Sequence, residues 1–395
     1  MRIIPLIIAG MYFSILSAFS QSAAPSDSVY RSRKLSIDEI NIVSSYYKQD
    51  GNNSAVTGGI GTEHLTDIAN TIDLQLSKYG KSPFIKHRFN FELGVDTYTS
   101  ASSDKIDPST ISSASMSDIR IYPSLSWNIE NEKKGSTIGI SASFSNEYDY
   151  NSVGGGISFS KISKDKNREV ALKLQAFLDT WKVIYPIELR NENNSNEKSP
   201  RNSFNGSLSV SQVINKRLQA LIMIEPAYQH GLLATKYQRV FFTDNSVQSE
   251  TLPEDRYKLP IGLRLNYFAG NKVILRSFYR YYMDSWGVNA NTFELETPVK
   301  LSPFISISPF YRFYQQSQAD YFAPFAQHSV SESFFTSDFD LSRFDSNFFG
   351  AGIRLAPPKG VFGFSHLSGM EIRYGHYTRS TGLNSNIVSL HLKVK

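Results

Sequence analysis

The stretch Ile119-Arg-Ile-Tyr-Pro-Ser-Leu-Ser-Trp-Asn-Ile129 alternates apolar and polar side chains with a period of two. A β-strand places successive side chains on opposite faces, so this alternation predicts a strand with one apolar and one polar face. The apolar face carries Ile119, Ile121, Leu125, Trp127 and Ile129. An amphipathic helix would instead need apolar residues three or four positions apart.

The same period returns along the chain from Ile37 onward, in about 16 segments separated by turn residues. The segments are predicted at 37–50, 64–79, 84–99, 115–130, 135–148, 150–163, 167–181, 202–214, 217–231, 254–268, 271–284, 286–301, 304–318, 344–356, 367–380 and 383–394. A chain made only of such segments is all-β. Its apolar faces are rich in Phe, Leu and Ile, and its opposite faces in Ser, Asn, Arg and Glu.

The connectors between the segments differ in length in a regular way. Tight turns follow most even-numbered segments, at 131–134, 164–166, 215–216, 269–270 and 302–303. Long loops follow most odd-numbered segments, at 51–63, 100–114, 182–201, 232–253 and 319–343. The exceptions are short hairpins near Asp149, Ser285 and Thr381. This asymmetry is typical of transmembrane up-and-down antiparallel barrels, with short periplasmic turns and long extracellular loops. An even number of strands then places both ends of the barrel on the periplasmic side.

A secreted β-sandwich is the alternative fold for so many strands. A sandwich buries its apolar faces and exposes polar ones. Here the apolar faces are large and aromatic, and the charged faces are numerous enough to line an interior. A lipid-facing exterior and a wet lumen explain this inverted pattern, so the sequence favours a barrel over residues 37–395.

The composition limits the class of protein. Aromatic residues make up 13% of the chain, which fits strands better than helices. The mean hydropathy is −0.29, as expected when a polar inner face cancels an apolar outer one. The formal net charge is +5 with no basic run, so nothing indicates nucleic acid binding. There is no cysteine, which excludes disulfides, zinc–thiolate sites and cysteine nucleophiles.

The N-terminus has the pattern of an export signal. Arg2 is a short positive region, 3–16 is apolar, and the small residues Ala18 and Ser20 precede Gln21. We therefore predict a signal peptide at 1–20 and a short periplasmic segment at 21–36. The apolar run is too short for a typical membrane-spanning helix. The expected location of the mature protein is the outer membrane, with its lipid and its assembly machinery as the first partners.

The polar faces of the second half place a row of charges on the predicted inner wall. The residues expected there are Lys258, Arg264, Arg276, Arg280, Glu294, Glu296, Arg312, Arg354, Glu371 and Arg373. Two interpretations remain open. In the first, these charged residues form cross-strand ion pairs that fix the register of the strands, together with aromatic packing. Alternatively, the excess of arginine could favour anionic solutes in a channel.

The loop at 319–343 mixes aromatic and acidic residues. One interpretation is an inward-folded constriction or a carboxylate cation site, formed by Asp320, Tyr321, Phe322, Asp338 and Asp340. The other is a loop held by its own aromatic side chains. The Asp338-x-Asp340 spacing lacks the glycine and the distal glutamate of a calcium-binding loop.

Catalytic patterns are weak. The seven histidines are scattered, and none lies in a serine-hydrolase elbow or a zinc-binding HExxH array. His391 and Ser389, two positions apart, form the only pair worth testing for hydrolysis. We expect no enzyme activity, no metal and no cofactor.

Several strings of this sequence resemble a known family. They are Tyr185–Arg190, Gln212–Leu218, Leu263–Phe268, Arg280–Trp286, Asp320–Pro324, Thr336–Leu341 and Arg373–Tyr377. Together they resemble the uncharacterised Gram-negative family called domain of unknown function 3570, over roughly 37–394. The resemblance implies an outer-membrane barrel and supplies no substrate or catalytic residue. It also implies an association with gene clusters for redox and flavin-attachment proteins.

Three functions therefore compete. The first is a porin-like passive channel, because about 16 strands is the size at which a water-filled lumen is expected. The second is a non-conducting barrel that serves protein partners in export or in flavin-linked redox systems. The third is a barrel enzyme.

Overall fold

A computed structural model describes residues 33–99, 117–190 and 197–395 of the chain. The predicted signal peptide, most of the segment at 21–36 and the loop predicted at 100–114 lie outside the described residues. Among the described residues, no helix is long and apolar enough to cross a membrane.

The alternating segments form antiparallel strands, and one further short hairpin lies in a loop. They are β1 (Ser36–Gly51), β2 (Glu63–Tyr79), β3 (Ile85–Thr99), β4 (Ser117–Asn131), β5 (Ser136–Asn146), β6 (Tyr150–Ile162), β7 (Arg168–Lys182), β8 (Lys198–Asn215), β9 (Leu218–Ile224), β10 (Ala227–Gly231), β11 (Arg239–Phe241), β12 (Val247–Ser249), β13 (Asp255–Ala269), β14 (Val273–Asp284), β15 (Asn289–Glu296), β16 (Val299–Lys300), β17 (Ile305–Gln316), β18 (Phe344–Leu355), β19 (Leu367–Arg379) and β20 (Asn384–Val394). The described part of the chain also contains four helical turns of three residues each: Ala55–Thr57, Ile187–Leu189, Phe339–Leu341 and Val361–Gly363.

Eighteen of these strands form one closed barrel, in which two pairs of short strands each count as one, so the barrel has sixteen strands. β11 and β12 pair only with each other, as a hairpin in a loop. β9 and β10 together make one barrel strand, because both pair with β8 and β13. β15 and β16 make another, between β14 and β17. The barrel closes where β1 pairs with β20, from Ile40 opposite Val394 to Asp50 opposite Asn384. The predicted fold is confirmed.

Prolines divide two of the strands that the sequence pattern predicts as continuous. The segment predicted at 217–231 is interrupted at Glu225 and Pro226, and the one predicted at 286–301 at Thr297 and Pro298. Proline has no backbone N–H to donate to a neighbouring strand, so regular pairing stops there. The second of these segments also begins only at Asn289, because 285–288 form the turn from β14.

The two faces of the sheet have opposite chemistry. Apolar side chains such as Ile138, Val153 and Ile157 are 58–59% exposed on one face. On the other face, Arg373 of β19 contacts Glu296 of β15, although two strands separate them. Side chains from such distant strands converge only on the concave side of a barrel, so the charged face points inward. The exposed apolar band therefore faces lipid, and the barrel is an outer-membrane protein.

The connectors follow the predicted asymmetry with one difference. Long loops follow β1, β7, β10 and β17, and the turns after β5, β14 and β19 are short. On the short-turn side, the connector from β18 to β19 spans 356–366 and contains the helical turn Val361–Gly363.

Candidate functional site

The ten charged residues predicted for the inner wall lie on the inward-facing positions of β13, β14, β15, β17, β18 and β19. In the register, Arg276 is opposite Glu296 and Glu294 is opposite Arg312. Directly paired residues of antiparallel strands share a face. Six of the ten make ion pairs or contacts with aromatic rings: Arg264, Arg276, Glu296, Arg312, Glu371 and Arg373. Among the described residues, Lys258, Glu294 and Arg354 have no ion pair within 4.0 Å.

Glu296 is the centre of an ion-pair network on this wall. Its Oε1 lies 3.3 Å from Arg276 Nη1, and its Oε2 lies 3.5 Å from Arg373 Nη2. Arg373 Nη1 also donates to Glu371 Oε1 at 3.1 Å. Two arginines and two glutamates from β14, β15 and β19 are thereby connected. The network holds both glutamates against arginines and leaves no carboxylate of the four residues unpaired.

Arg373 reaches Glu296 because the wall beneath it is flat. Gly352 of β18 is paired with Arg373, and a Cβ there would lie 2.9 Å from Arg373 Cγ. The guanidinium also lies 5.0 Å from the centre of the Phe310 ring, within the range of a cation–π contact. The small residue and the ring together let a long side chain lie along the wall instead of projecting into the lumen.

Two other wall arginines also lie over phenylalanine rings. Arg264 lies 5.2 Å from the Phe278 ring centre, and Arg312 lies 4.9 Å from that of Phe348. Stacking occupies the planar face of a guanidinium and leaves its N–H edges available. Arg280 differs, because its Nε is buried without a hydrogen-bond partner in the described part of the chain.

Several inner-wall pairs were not predicted as site residues. Arg88 Nη2 lies 2.8 Å from Glu130 Oε2, and Lys393 Nζ lies 2.5 Å from Glu39 Oε2. The alternation of side chains gave the facing of Arg88, but its partner depends on the register of β3 against β4. The sequence contained no separate signal for that register.

Loops 232–254 and 317–343 pack together into a folded unit on the long-loop side. Val240, Phe242 and Phe335 form its buried core. The hairpin of β11 and β12 lies on one side, and backbone bonds join Thr251 and Phe335 at 2.7 and 3.2 Å. We call these two loops, with loop 52–62 and segment 183–190 that they contact, the extracellular cap.

The cap crosses the mouth of the barrel, and Arg239 is the residue that shows it. Loop 52–62 joins the first two barrel strands and loop 232–254 joins the ninth and tenth, so they begin on opposite sides of the barrel. Arg239 Nη1 nevertheless donates to Val56 O at 2.8 Å, and its Nε and Nη2 bond Glu188 at 2.5 and 3.0 Å. Arg239 is 3% exposed. One buried guanidinium thus ties three loops together over the lumen.

A close backbone approach adds loop 317–343 to the same crossing. Gly59 has a φ of +84° and lies so near the other loop that a Cβ would be 2.7 Å from Ser337 O. Any side chain at this position would separate the two loops.

The five residues predicted for a loop constriction have different environments in the cap. Tyr321 contacts the Trp286 ring edge-on at 6.1 Å, and Phe322 contacts Phe339 at 5.3 Å. Asp320 N donates to Trp286 O at 2.9 Å. These three residues therefore hold the loop.

The two aspartates at the end of this loop anchor it to other elements. Asp338 accepts from Gln238 Nε2 at 3.2 Å and from Asp340 N at 2.9 Å. Asp340 Oδ1 lies 2.5 Å from Arg379 Nη1, on the inner face of β19. The loop is thus fixed both to loop 232–254 and to the barrel wall.

A buried anchor below the cap was also missed by the sequence analysis. Asp284 has a fully buried side chain, and its Oδ2 accepts from Arg256 Nη2 at 2.5 Å and from Tyr282 Oη at 2.7 Å. Its Oδ1 accepts from the backbone N–H groups of Trp286 and Val288. The turn between β14 and β15 is rigid for this reason. The string Asp284-Ser-Trp286 at the end of a strand does not by itself predict this buried anchor.

A family model described as "Protein of unknown function (DUF3570)" matches residues 86–361. The chain belongs to the DUF3570 family. The matched region runs from β3 to the connector after β18, and so includes loops 232–254 and 317–343 of the cap and the wall residues from Lys258 to Arg354, but not Glu371, Arg373 or loop 52–62.

Several solved structures are similar to this DUF3570 chain over most of its length. Pseudomonas aeruginosa OccD3 (OpdP) is 7% identical, with 93% of this chain and 92% of that chain covered and a TM-score of 0.44. Pseudomonas aeruginosa OccK1 (OpdK) is 6% identical, with 92% and 99% covered and a TM-score of 0.45. A BenF-like porin from Pseudomonas fluorescens Pf-5 is 8% identical, with 92% and 100% covered and a TM-score of 0.42. No curated protein sequence matches the chain.

Titratable groups are buried in the cap of the DUF3570 chain. Glu250 accepts from Thr336 Oγ1 at 2.5 Å and from Thr235 N at 2.6 Å. Burial, and then the nearby Asp338, raise the pKa of Glu250 to about 8. Burial and the charge of Asp340 raise the pKa of Asp338 to about 6. Protonation and packing are therefore linked in the cap of the DUF3570 chain.

Proposed function

We propose that this barrel is a porin-like passive channel whose arginine-rich wall favours anionic solutes and whose extracellular mouth is narrowed by the cap. The observation that carries the proposal is the closed barrel of sixteen strands with a charged inner face. A barrel of this size encloses more space than its own side chains fill, so water is expected in the lumen.

The charge of the wall supports a preference for anions. The ten residues of the charged wall comprise seven basic and three acidic side chains. The basic excess is held in place by stacking and ion pairing, as for Arg264, Arg312 and Arg373. A fixed positive stripe in a narrow pore raises the local concentration of anions.

The alternative is a non-conducting barrel that serves protein partners in export or in flavin-linked redox systems. The cap favours it, because loops from opposite sides of the barrel meet over the mouth. In that case the outer surface of the cap and the periplasmic turns would be the binding surfaces for other proteins.

An enzyme is the weakest of the three functions. His391 Nε2 lies 3.0 Å from Asn41 Oδ1. This ring nitrogen therefore contacts an amide oxygen, and among the described residues no hydrogen bond joins His391 to Ser389. Loss of a hydrolytic activity in a His391→Ala variant would be needed to revive this proposal.

Single-channel recording separates the first two functions. The full mature chain, refolded into detergent and inserted into a planar bilayer, should give discrete conductance steps with anion preference across a KCl gradient. Absence of any step in the wild type and also in a variant with a loosened cap would overturn the channel proposal. Proteins that co-purify in stoichiometric amount would then favour the scaffold.

A further inference from the structure

Four carboxylates line the inner face of β2 and β3. They are Asp67, Asp73, Glu92 and Asp96, which we call the acidic wall. They alternate with lipid-facing residues such as Phe91, which is 42% exposed, so the four carboxylates point into the lumen. Among the described residues, none of the four forms an ion pair within 4.0 Å. Asp67 Oδ1 and Asp73 Oδ1 also have no hydrogen-bond partner there.

Two members of the acidic wall are directly opposed. Asp73 of β2 is paired with Glu92 of β3, so two like charges face each other across neighbouring strands. Arg120 is opposite Asp96 in the register, but its Nε lies 3.5 Å from Glu147 Oε1. Directly opposed like charges destabilise a sheet, so pairing of the strands does not account for this arrangement.

Basic side chains lie on the opposite side of the lumen. β13 and β14 are eight strands away from β2 and β3, which is half of the circumference of the sixteen-strand barrel. Among the described residues, the inward-facing basic side chains of β13 and β14 that lack an ion pair are Lys258, Arg264 and Arg280. We call these three residues the basic wall. The lumen is therefore negative on one side and positive on the side that faces it.

The acidic and basic walls lie at similar depths in the barrel. Lys258 and Arg280 are three and four residues from the long-loop ends of their strands, as are Asp96 and Asp67. Arg264 lies deeper in the lumen, as does the opposed pair of the acidic wall. A solute that crosses the lumen thus passes between opposite charges at two successive levels.

An uncharged sector separates the two walls along the first half of the barrel. The inward-facing positions of β6 are Ser152, Gly154, Gly156, Ser158 and Ser160. Such short side chains project little into the lumen, so they leave room for water. The opposite charges consequently face each other across the lumen and do not neutralise one another by contact.

We propose that the acidic and basic walls select small solutes that carry both a positive and a negative charge, such as amino acids. This inference rests on the channel of the proposed function and names its solute class. Charges on low-dielectric walls around a narrow lumen produce a strong potential inside it. A zwitterion can turn its ammonium group to the acidic wall and its carboxylate to the basic wall, so both ends are stabilised at once. Chloride gains from the basic wall alone.

The test compares alanine with lactamide, which are isomers without net charge, and of which only alanine is a zwitterion at neutral pH. Liposomes that contain the refolded full mature chain should swell about twofold or more faster in alanine than in lactamide, after subtraction of protein-free rates. The ratio of the two rates should fall toward one at 1 M salt, where the screening length is about 3 Å.

The acidic wall can be neutralised at its directly opposed pair. Asp73→Asn with Glu92→Gln relieves like-charge repulsion, so the barrel should still fold and show heat-modified gel migration, while the ratio of alanine to lactamide rates falls to near one. Asp244→Asn with Glu254→Gln is the matched control. It removes the same charge from exposed residues of loop 232–254 and should keep the wild-type ratio.

The basic wall supplies a second variant if the first one folds poorly. Arg264→Gln with Arg280→Gln should lower the same ratio, because a zwitterion needs both walls. Equal rates for the two isomers in a wild-type chain that gives conductance steps would overturn the zwitterion selectivity and leave the channel. A ratio unchanged in both wall variants would do the same. Absence of conductance and of swelling with either isomer, also with a loosened cap, would overturn the channel and this inference with it.

Discussion

Arg373 Nη2 lies 3.5 Å from Glu296 Oε2, although β17 and β18 separate the strands that carry them. The two side chains meet across the inner wall, because their strands are not hydrogen-bonded neighbours in the sheet. The contact depends on Gly352, which leaves no side chain under the arginine. Ion pairs on the charged wall therefore connect strands that are not adjacent as well as neighbouring strands.

A side chain at position 352 should disrupt the contact between Arg373 and Glu296. In Gly352→Val, a Cβ would lie 2.9 Å from Arg373 Cγ, so the arginine would be displaced into the lumen. We expect a loss of about 1–3 kcal/mol in the free energy of unfolding, as for overpacked sites, and a smaller channel conductance. Urea unfolding followed by gel migration measures the first, and bilayer recording the second.

The matched control is Gly155→Val on β6. A Cβ at Gly155 meets only Ser141 O at 3.9 Å, so the added side chain has open space. Equal effects of the two substitutions on stability and conductance would show that Gly352 has no special role.

Reversal of two wall charges tests the anion preference. Arg276→Glu with Arg280→Glu removes two positive charges from the wall and places a carboxylate opposite Glu296. The reversal potential across a KCl gradient should shift toward cation preference, most clearly near 0.1 M salt, where the screening length is about 10 Å. Lys133→Glu with Lys134→Glu changes the same charge in a turn outside the lumen. A selectivity unmoved by the wall variant would remove the arginine stripe from the proposed function.

Loss of Arg239 should loosen the cap. Removing one partner of a buried ion pair costs about 3–5 kcal/mol, and we expect about 1–3 kcal/mol here because the Glu188 side chain is 38% exposed. Arg239→Met should therefore increase proteolysis within 232–254 and 317–343 and increase conductance. Arg343→Met replaces an exposed arginine of the same cap and serves as the control. A cap equally protected in both variants would contradict the role of Arg239 as its central contact.

The cap should become less stable as pH rises from about 4.5 to about 8. The pKa of Glu250 is about 8 in the folded cap and near 4.5 when the chain is unfolded, so the folded form holds the proton more tightly. This contribution to stability is complete below pH 4.5 and is lost as the pH passes 8. Asp338, whose pKa is raised to about 6, acts in the same direction at lower pH.

Hydrogen exchange of the 317–343 backbone measures this dependence. Glu250→Gln should flatten the loss of protection between about pH 6 and pH 8, relative to the wild type at each pH. Glu254→Gln changes an exposed glutamate of the same loop and should keep the wild-type profile. A profile of Glu250→Gln that still falls steeply over this range would assign the pH dependence to another group.

Side-chain alternation predicted all sixteen barrel strands, because the period of two follows from strand geometry whatever the neighbours are. For β1, β2 and β20, the predicted ends lie within one residue of those observed. The breaks at Pro226 and Pro298 were not predicted, although proline was visible in both segments. Alternation continues through such a break, so only the backbone pairing shows it.

The wall and the cap were predicted to different extents. The inward facing of Arg276 and Glu296 follows from the pattern alone, but the reach of Arg373 over Gly352 depends on the register of four strands. For the cap, the sequence predicted long loops and, as one of two interpretations, an inward-folded constriction at 319–343. Contacts such as Arg239 with Val56 join residues far apart in the chain, and no local pattern records them.

The amino-acid sequence by itself determined the strands, the face of each side chain and the lengths of the turns, because these depend on neighbouring residues and on the preference of apolar groups for lipid. The tertiary structure alone decided which charges meet, that the loops cross the mouth, and that Asp118, Glu147 and Asp149 lie close together. Those features arise from barrel closure, which brings together residues that are distant along the chain.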